Sequence, residues 1–312
     1  MYRKYSKIKN VGSKDIDFST LHLDNLHFVV TEKIHGANYM FCLEPDGTFH
    51  QGSRSYRLNK DSSFFGHIDV INRYEATFIE ACNTLYKGKE VGLYGELFGG
   101  SKEGRKPVQR EVYYSPELEF AAFDLMVDGE YLSYDELETF ANLAGIPLVP
   151  LIARNISYKE ALSIPNTFDS LWSDRSNNVA EGIVISPVIT TYDHKGGRVI
   201  LKNKADKFLE VVKKAKVPKS VKELSDDLKA IVEDITRYIT LNRLSNICSH
   251  LEPELVVIEN FNNLRLLFIK DIMEDYKKDN PDVTVHRLND KPLSSAISTI
   301  ACKLIHQYLK EV

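Results

Sequence analysis

No stretch of this chain approaches the ~18 consecutive apolar residues of a membrane-spanning helix, so none of it reads as an integral membrane segment. Cysteine is scarce. The four present (Cys42, Cys82, Cys248, Cys302) lie far apart and form no CxxC pair, which argues against a disulfide framework and against a zinc site. The opening residues, Met1 to Lys7, contain no apolar core of a secretory signal. These absences point to a reducing compartment, the cytoplasm of a cell or of an infected host, and leave an organelle open. Internal repeats and low-complexity segments are also missing. Charge of one sign is missing overall, since 40 basic residues face 44 acidic ones for a net −4. The distribution is less even. Between Lys195 and Lys219 nine Lys/Arg stand against two acids, a local +7, and such a stripe suits a polyanion at one face.

At 312 residues the chain is long enough for two domains of the usual ~100–200 residues. Its first part reads as β-rich. Strand patterns cover 27–32, 39–44, 90–97, 118–127, 182–186 and 198–202, and the turn Pro45-Asp46-Gly47 leads to a further strand. Helical spacing appears at 68–86 and at 134–144, ahead of Gly145-Ile146-Pro147. Helices on antiparallel sheets give an α+β domain, assigned to residues 1–218. After Pro218 the pattern is helical throughout. Ser220 and Glu223 form a capping box for a helix carrying Val221 to Ile239. Pro253 opens a second helix and Pro292 precedes a third. Residues 219–312 are therefore predicted to be a separate all-helical domain, its apolar stripes serving as core. Its charge is nearly balanced, with 13 basic and 15 acidic residues.

Five short stretches carry the chemistry: Lys33-Ile34-His35-Gly36, Tyr94-Gly95-Glu96-Leu97, Phe120 to Asp124, Glu181 to Ile185, and Leu201-Lys202-Asn203-Lys204. A lysine that attacks the α-phosphate of a nucleotide needs an aromatic face for the base, a carboxylate for the ribose, a carboxylate for a metal, and cations for the phosphates. The five stretches supply each. Lys33 is the candidate nucleophile. A lysine amine is ordinarily protonated at neutral pH (pKa ~10.4), so a nucleophilic one needs burial or neighbouring cations. Lys202 and Lys204 alternate on a strand, project to one face, and would neutralise phosphate oxygens. His35, two residues past Lys33, falls on the same side of extended backbone and suits a phosphate contact. Glu96 ends a strand, where it can accept from ribose hydroxyls. Phe120 is the candidate stacking ring and Phe123 a core residue. Glu181 opens an apolar strand, poorly placed for packing and well placed for a metal-bound water.

With these residues in place, the chain resembles the covalent nucleotidyltransferases, and among them the phage-type RNA ligase 2 family, which includes the RNA-editing ligases. His35 decides this, since capping enzymes and DNA ligases usually carry Asp at that place in KxDG. The resemblance runs from Arg3-Lys4-Tyr5-Ser6 through the last lysine motif, and the helical domain fits where those other enzymes would place an OB-fold barrel. It implies that Lys33 takes AMP from ATP covalently. It also implies that Glu32, Ile34 and Asn38 line the nucleotide site and that Arg54 contacts the substrate end. By the same likeness Glu96 binds ribose, Phe120 stacks on adenine, Glu181 supports Mg2+ or Mn2+, and Lys202 and Lys204 hold the phosphates. Thr31, Ser53 and Ser186 depart from the family pattern, each standing where a basic residue is common.

The implied activity is ATP-dependent joining of 3′-hydroxyl and 5′-phosphate RNA ends, at nicks in duplex RNA, with the nicked end along the basic stripe. Two other readings stay open: a DNA or mixed DNA/RNA nick ligase, and a non-catalytic RNA-binding relative.

Overall fold

The computed structural model describes residues 2–13, 16, 18, 21, 23–59, 61–102, 107–211, 225–281 and 291–311. The chain divides into two compact units, Met1–Lys207 and Phe208–Val312. The boundary expected at 218 and the capping box of Ser220 and Glu223 lie outside the described residues.

Unit 1 is built on eleven strands among the described residues. In chain order they are β1 (Lys9–Asn10), β2 (Phe28–Glu32), β3 (Ala37–Leu43), β4 (Phe49–Ser53), β5 (Arg57–Leu58) and β6 (Val91–Gly99), then β7 (Leu118–Val127), β8 (Glu130–Tyr131), β9 (Leu151–Ile156), β10 (Gly182–Pro187) and β11 (Leu201–Lys204). They form a five-stranded sheet of order β1-β11-β10-β2-β9 and a six-stranded sheet of order β5-β4-β3-β6-β7-β8. Every pairing is antiparallel except β1 with β11.

Three helices complete the unit: α1 (Ile68–Leu85), α2 (Tyr134–Ala144) and α3 (Tyr158–Ser163). Phe78 of α1 and Phe140 of α2 join Tyr39, Phe41, Leu93, Phe120 and Leu125 in the main core, so both helices cover the outer face of the six-stranded sheet. The ends of α2 follow from local chemistry. Ser133 and Glu136 make a reciprocal capping box, and Gly145 stops the helix at φ 62, a left-handed conformation that glycine adopts without Cβ strain. Ala161 of α3 belongs to the core of the five-stranded sheet, with Phe28, Val30, Ile183, Ile185 and Leu201. The two sheets meet through a third cluster in which Met40, Cys42, Tyr94 and Met126 of one sheet join Tyr5, Ile200 and Val184.

One irregularity decides which residues face the site. Between Tyr94 and Gly95 the β6–β7 register slips, so that Tyr94 opposes Asp124 while Gly95 opposes Ala122. Phe123 is the extra residue of this bulge. A one-residue bulge swaps the faces of everything on one side of it.

Unit 2 contains α4 (Asp226–Thr236), α5 (Leu241–Cys248), α6 (Phe261–Asp279) and α7 (Lys291–Glu311). Val232, Ile235, Leu244, Phe268, Ile272, Ile297, Ala301 and Ile305 bring all four into one core. The described residues thus hold four helices where three were expected. The single helix expected to reach Ile239 ends at Thr236, and Thr240 starts a new one by accepting a hydrogen bond from the Arg243 amide. Pro253 opens a short 3-10 turn, and Val257 and Ile258 stay largely exposed, so α6 begins only at Phe261. Arg243 is 1% exposed in this apolar core. Its guanidinium donates to Asp271 at 2.5 Å and to Asp275 at 2.9 Å, acids one turn apart on α6. Among the described residues no helix is long and apolar enough to cross a membrane.

Candidate active site

The Lys33 loop is locked between the two sheets by close backbone approach. The Lys33 amide donates to the Gly182 carbonyl at 2.8 Å, which carries the β2–β10 ladder one residue past the end of β2. Gly36 lies so close to β6 that a Cβ there would sit 2.3 Å from the Leu97 carbonyl oxygen and 2.8 Å from the Glu96 side chain. Gly182 has φ 144, and a Cβ would fall 2.2 Å from the Asn203 oxygen. Only glycine fits either place. Glu181, just before β10, is held by its own carbonyl, which accepts from the Ala205 amide at 2.9 Å.

These constraints gather charge around one buried carboxylate. Lys33 Nζ donates to Glu181 Oε2 at 2.7 Å, and Lys204 Nζ lies 2.9 Å from Oε1. His35 Nδ1 is 3.3 Å from Oε2. The other side of the imidazole, Nε2, meets Glu111 Oε2 at 3.1 Å, and the His35 amide donates to the Tyr114 hydroxyl at 2.8 Å. Burial alone would raise the Glu181 carboxyl, but Lys204, Lys33 and His35 outweigh it and hold it well below the usual range. His35 is raised: burial disfavours its charge, and Glu181 and Glu111 more than restore it. The hydrogen bond from His35 also draws Glu111 down to about 2. Glu96 goes the other way. Burial lifts it to about 7 against the attraction of Lys33, His35 and Arg54.

Most of the expected residues meet here. Lys33, His35, Glu181 and Lys204 are in direct contact. Asn38 lies directly across the β3–β6 ladder from Glu96, so the two share a face. Lys202 falls on the face of Lys204 by strand alternation and pairs across with Val184. Ile34 is buried.

Two expectations are corrected. The Glu32 carboxylate does not line the site. It is buried, accepting from Ser170 Oγ at 2.6 Å and the Leu171 amide at 2.7 Å. Phe120 is fully buried, packed on Phe41 at 5.0 Å and Tyr39 at 5.9 Å in the outer core. The ring on the inner side is Phe123, partly exposed and 5.0 Å from Tyr5. The bulge causes this exchange, because it puts Phe120 with Leu97 on the core face and frees Phe123. Three members of the basic stripe are paired within unit 1. Arg198 forks onto Asp124 at 2.5 and 2.9 Å, Lys204 meets Glu181, and Lys207 donates to the Glu111 carbonyl. Residues 212–219 of the stripe lie outside the described residues.

Several site residues escaped the sequence reading. Glu111 and Tyr114 come from a segment without periodicity, and no spacing marks them. Asp124 stood inside a quoted stretch without a role. It anchors a buried network, accepting from the Tyr5 hydroxyl at 2.7 Å as well as from Arg198. Both partners are remote in sequence.

The lysine loop, the buried carboxylate and the lysine-bearing strand thus come together between the two sheets of unit 1. The RNA ligase family model matches residues 26–204, and the model of the T4 RNA ligase 2 C-terminal domain matches residues 221–310. The chain belongs to the RNA ligase family, of the RNA ligase 2 type. Among solved structures it is similar to an RNA ligase of Naegleria gruberi. A lysine-to-alanine mutant of that ligase with ATP and Mn matches at 18% identity over 66% of this chain, TM-score 0.48. A lysine-to-methionine mutant with AMP and Mn and the ligase with PPi each match at 18% over 67%, TM-score 0.49. The chain spans 57% of the length of that ligase.

Proposed function

We propose that this protein is an ATP-dependent RNA ligase that works through a lysyl-AMP on Lys33. The observation that carries the reading is the contact of Lys33 with Glu181, shared with Lys204 and His35. One carboxylate aligns the nucleophile beside a second lysine and a histidine that can meet phosphate oxygens.

In the first step Lys33 Nζ, freed of its proton, attacks the α-phosphorus of ATP. A P–N bond forms, the bond to the bridging oxygen breaks, and pyrophosphate leaves. Lys202, Lys204 and His35 stabilise the phosphate oxygens as charge shifts. Phe123, rather than Phe120, is the ring we assign to the base, where stacking contributes ~1–3 kcal/mol. Glu96 and Asn38 are assigned to the ribose and Arg54 to the substrate end. In the second step a 5′-phosphate oxygen of RNA attacks the same phosphorus, the P–N bond breaks, and Lys33 regains its amine. In the third a 3′-hydroxyl attacks the activated 5′-phosphorus and AMP departs.

A hard divalent cation suits the oxygen donors here. Glu181 stays charged and would hold Mg2+ or Mn2+, whose contribution is charge neutralisation of the phosphates. The natural substrate we assign is a nick in duplex RNA, with the helical unit contributing to its grip. The described cysteines are all free, which suits work in a reducing compartment.

Incubation with α-labelled ATP and a divalent cation, beside Lys33→Ala, tests the reading. An acid-labile label on the wild type that is absent from the variant supports it, and no label with ATP or GTP would sink it in favour of a binding protein. Sealing of matched nicks with RNA or DNA 3′-hydroxyl strands then separates an RNA ligase from a DNA ligase.

A further inference from the structure

We propose that Cys42, Glu44 and His50 form a binding site for one Zn2+ ion on the β3–β4 hairpin. These residues take no part in the chemistry above, and their sequence spacing matches no zinc motif. The fold brings them together. Cys42 and His50 are directly opposite each other in the β3–β4 ladder, so their side chains share a face. Glu44, two residues past Cys42, falls on that face as well. The Cys42 sulfur, a Glu44 carboxylate oxygen and a His50 ring nitrogen all lie within 4.8 Å of one another. Ligand atoms around tetrahedral zinc, at ~2.0–2.3 Å from the metal, are separated by ~3.4–3.8 Å. A settling of about 1 Å closes that difference.

A second observation concerns the histidine. His50 Nε2 lies 3.0 Å from Glu44 Oε1, while Nδ1 is buried and has no hydrogen-bond partner. Nε2 is therefore the nitrogen that faces the cluster, and the tautomer with its proton on Nδ1 leaves Nε2 a lone pair for a metal. Three protein donors leave the fourth position of a tetrahedral ion to a water.

The donor set selects the ion. Thiolate and imidazole favour zinc over magnesium or manganese, which prefer oxygen. Binding replaces the Cys42 S–H bond with an S–Zn bond and releases the proton to solvent. The ion would pin the turn at Pro45 to Thr48 and fix the far end of β3, the strand that begins beside Gly36 and carries Asn38.

The test uses the full-length protein dialysed against Zn2+ in a large excess of Mg2+, with bound zinc counted by elemental analysis. Co2+ substitution is followed by its thiolate charge-transfer absorption. The wild type is expected to retain one zinc per chain and to show the thiolate band. Cys42→Ser should lose the band and weaken zinc binding at least tenfold, and His50→Gln should weaken it as much. Glu44→Gln alters the least buried of the three and separates loss of a ligand from loss of fold. It should weaken binding at least tenfold with an unchanged unfolding midpoint. Absence of retained zinc in the wild type, or equal retention by Cys42→Ser or Glu44→Gln, would overturn the proposal. No readout involves nucleotide, so the result stands apart from the ligase reading.

Discussion

Each compact unit buries a cluster of charge, and the two clusters follow opposite plans. In unit 1 a single carboxylate, Glu181, 4% exposed, meets three basic groups, Lys33, Lys204 and His35. In unit 2 a single cation, Arg243, 1% exposed, meets two carboxylates that are 45% and 31% exposed. In the first the basic groups are themselves only 10–19% exposed, and His35 is shared with a second acid, Glu111. The second is closed, because water reaches the surplus acids and solvates them. Burial of charge is therefore not itself the mark of a site. Whether solvent reaches the partner groups separates the two clusters.

The sharpest way to break this contrast is to truncate one member of each cluster and read both activity and stability. Lys204→Ala is expected to slow self-adenylylation by at least ~10²-fold, because a preorganised cation is lost where charge develops. The unfolding midpoint should hardly move, since Glu181 keeps Lys33 and His35. A loss of activity fully explained by unfolding at assay temperature would erase the distinction. The double change Asp271→Ala with Asp275→Ala leaves Arg243 buried with Glu210 as its remaining acid and should cost up to about 3–5 kcal/mol in urea unfolding. Arg243→Met should cost less, about 1–2 kcal/mol, because the acids left behind can hydrate. In both cases the folded protein should adenylylate normally. Equal costs would mean that packing rather than charge decides.

The acids of unit 1 allow a finer test through pH. Glu96 is raised from 4.5 to about 7, so the folded protein holds its proton more tightly than the unfolded chain does. Its contribution to stability declines as pH climbs from about 4.5 to about 7 and stays lost above that. Glu96→Gln should thus exceed the wild type in stability at pH 8, by up to about 3 kcal/mol, and converge with it near pH 4. Glu111 is lowered to about 2, so its stabilisation is present above 4.5 and fades as pH falls towards 2. Glu111→Gln should flatten that acid limb. The smallest expected effects are at the helix caps. Ser157→Ala in unit 1 and Thr240→Ala in unit 2 each remove an N-cap oxygen and should cost about 1 kcal/mol by thermal unfolding. A much larger loss for Thr240→Ala would show that the α4–α5 break depends on this one hydroxyl.

Much of the architecture was legible because periodicity is a local property. The strand at 118–127 and the helix at 134–144 appear with those bounds, since alternation and a Ser-to-Gly frame need no distant partner. β9 was missed, and its Leu151 is exposed, so alternation there is weak. The strand expected at 198–202 starts at Leu201, because the backbone before it pairs with Thr191 and Tyr192 instead. The break between α4 and α5 was invisible because Leu228, Ile231, Ile235, Tyr238 and Ile239 keep an unbroken helical spacing across it. At the site, Lys33, Glu181 and Lys204 were legible by type and order. Phe120 and Phe123 were exchanged because a bulge leaves no trace in a single strand's residues.

Local pattern carried the α+β character of the first part, the helical character of the second, and a set of chemical groups suited together to a nucleotide-handling lysine. These rest on local periodicity and residue type, which the chain carries wherever it goes. Tertiary structure alone decided which groups touch. It placed Glu181 between Lys33 and Lys204, set Glu111 against His35, turned Phe120 into the core, and put Cys42 across from His50. Each of these follows from strand register and close backbone approach between segments far apart in sequence. Register is fixed by the sum of many cross-strand contacts, and no single stretch of residues encodes it.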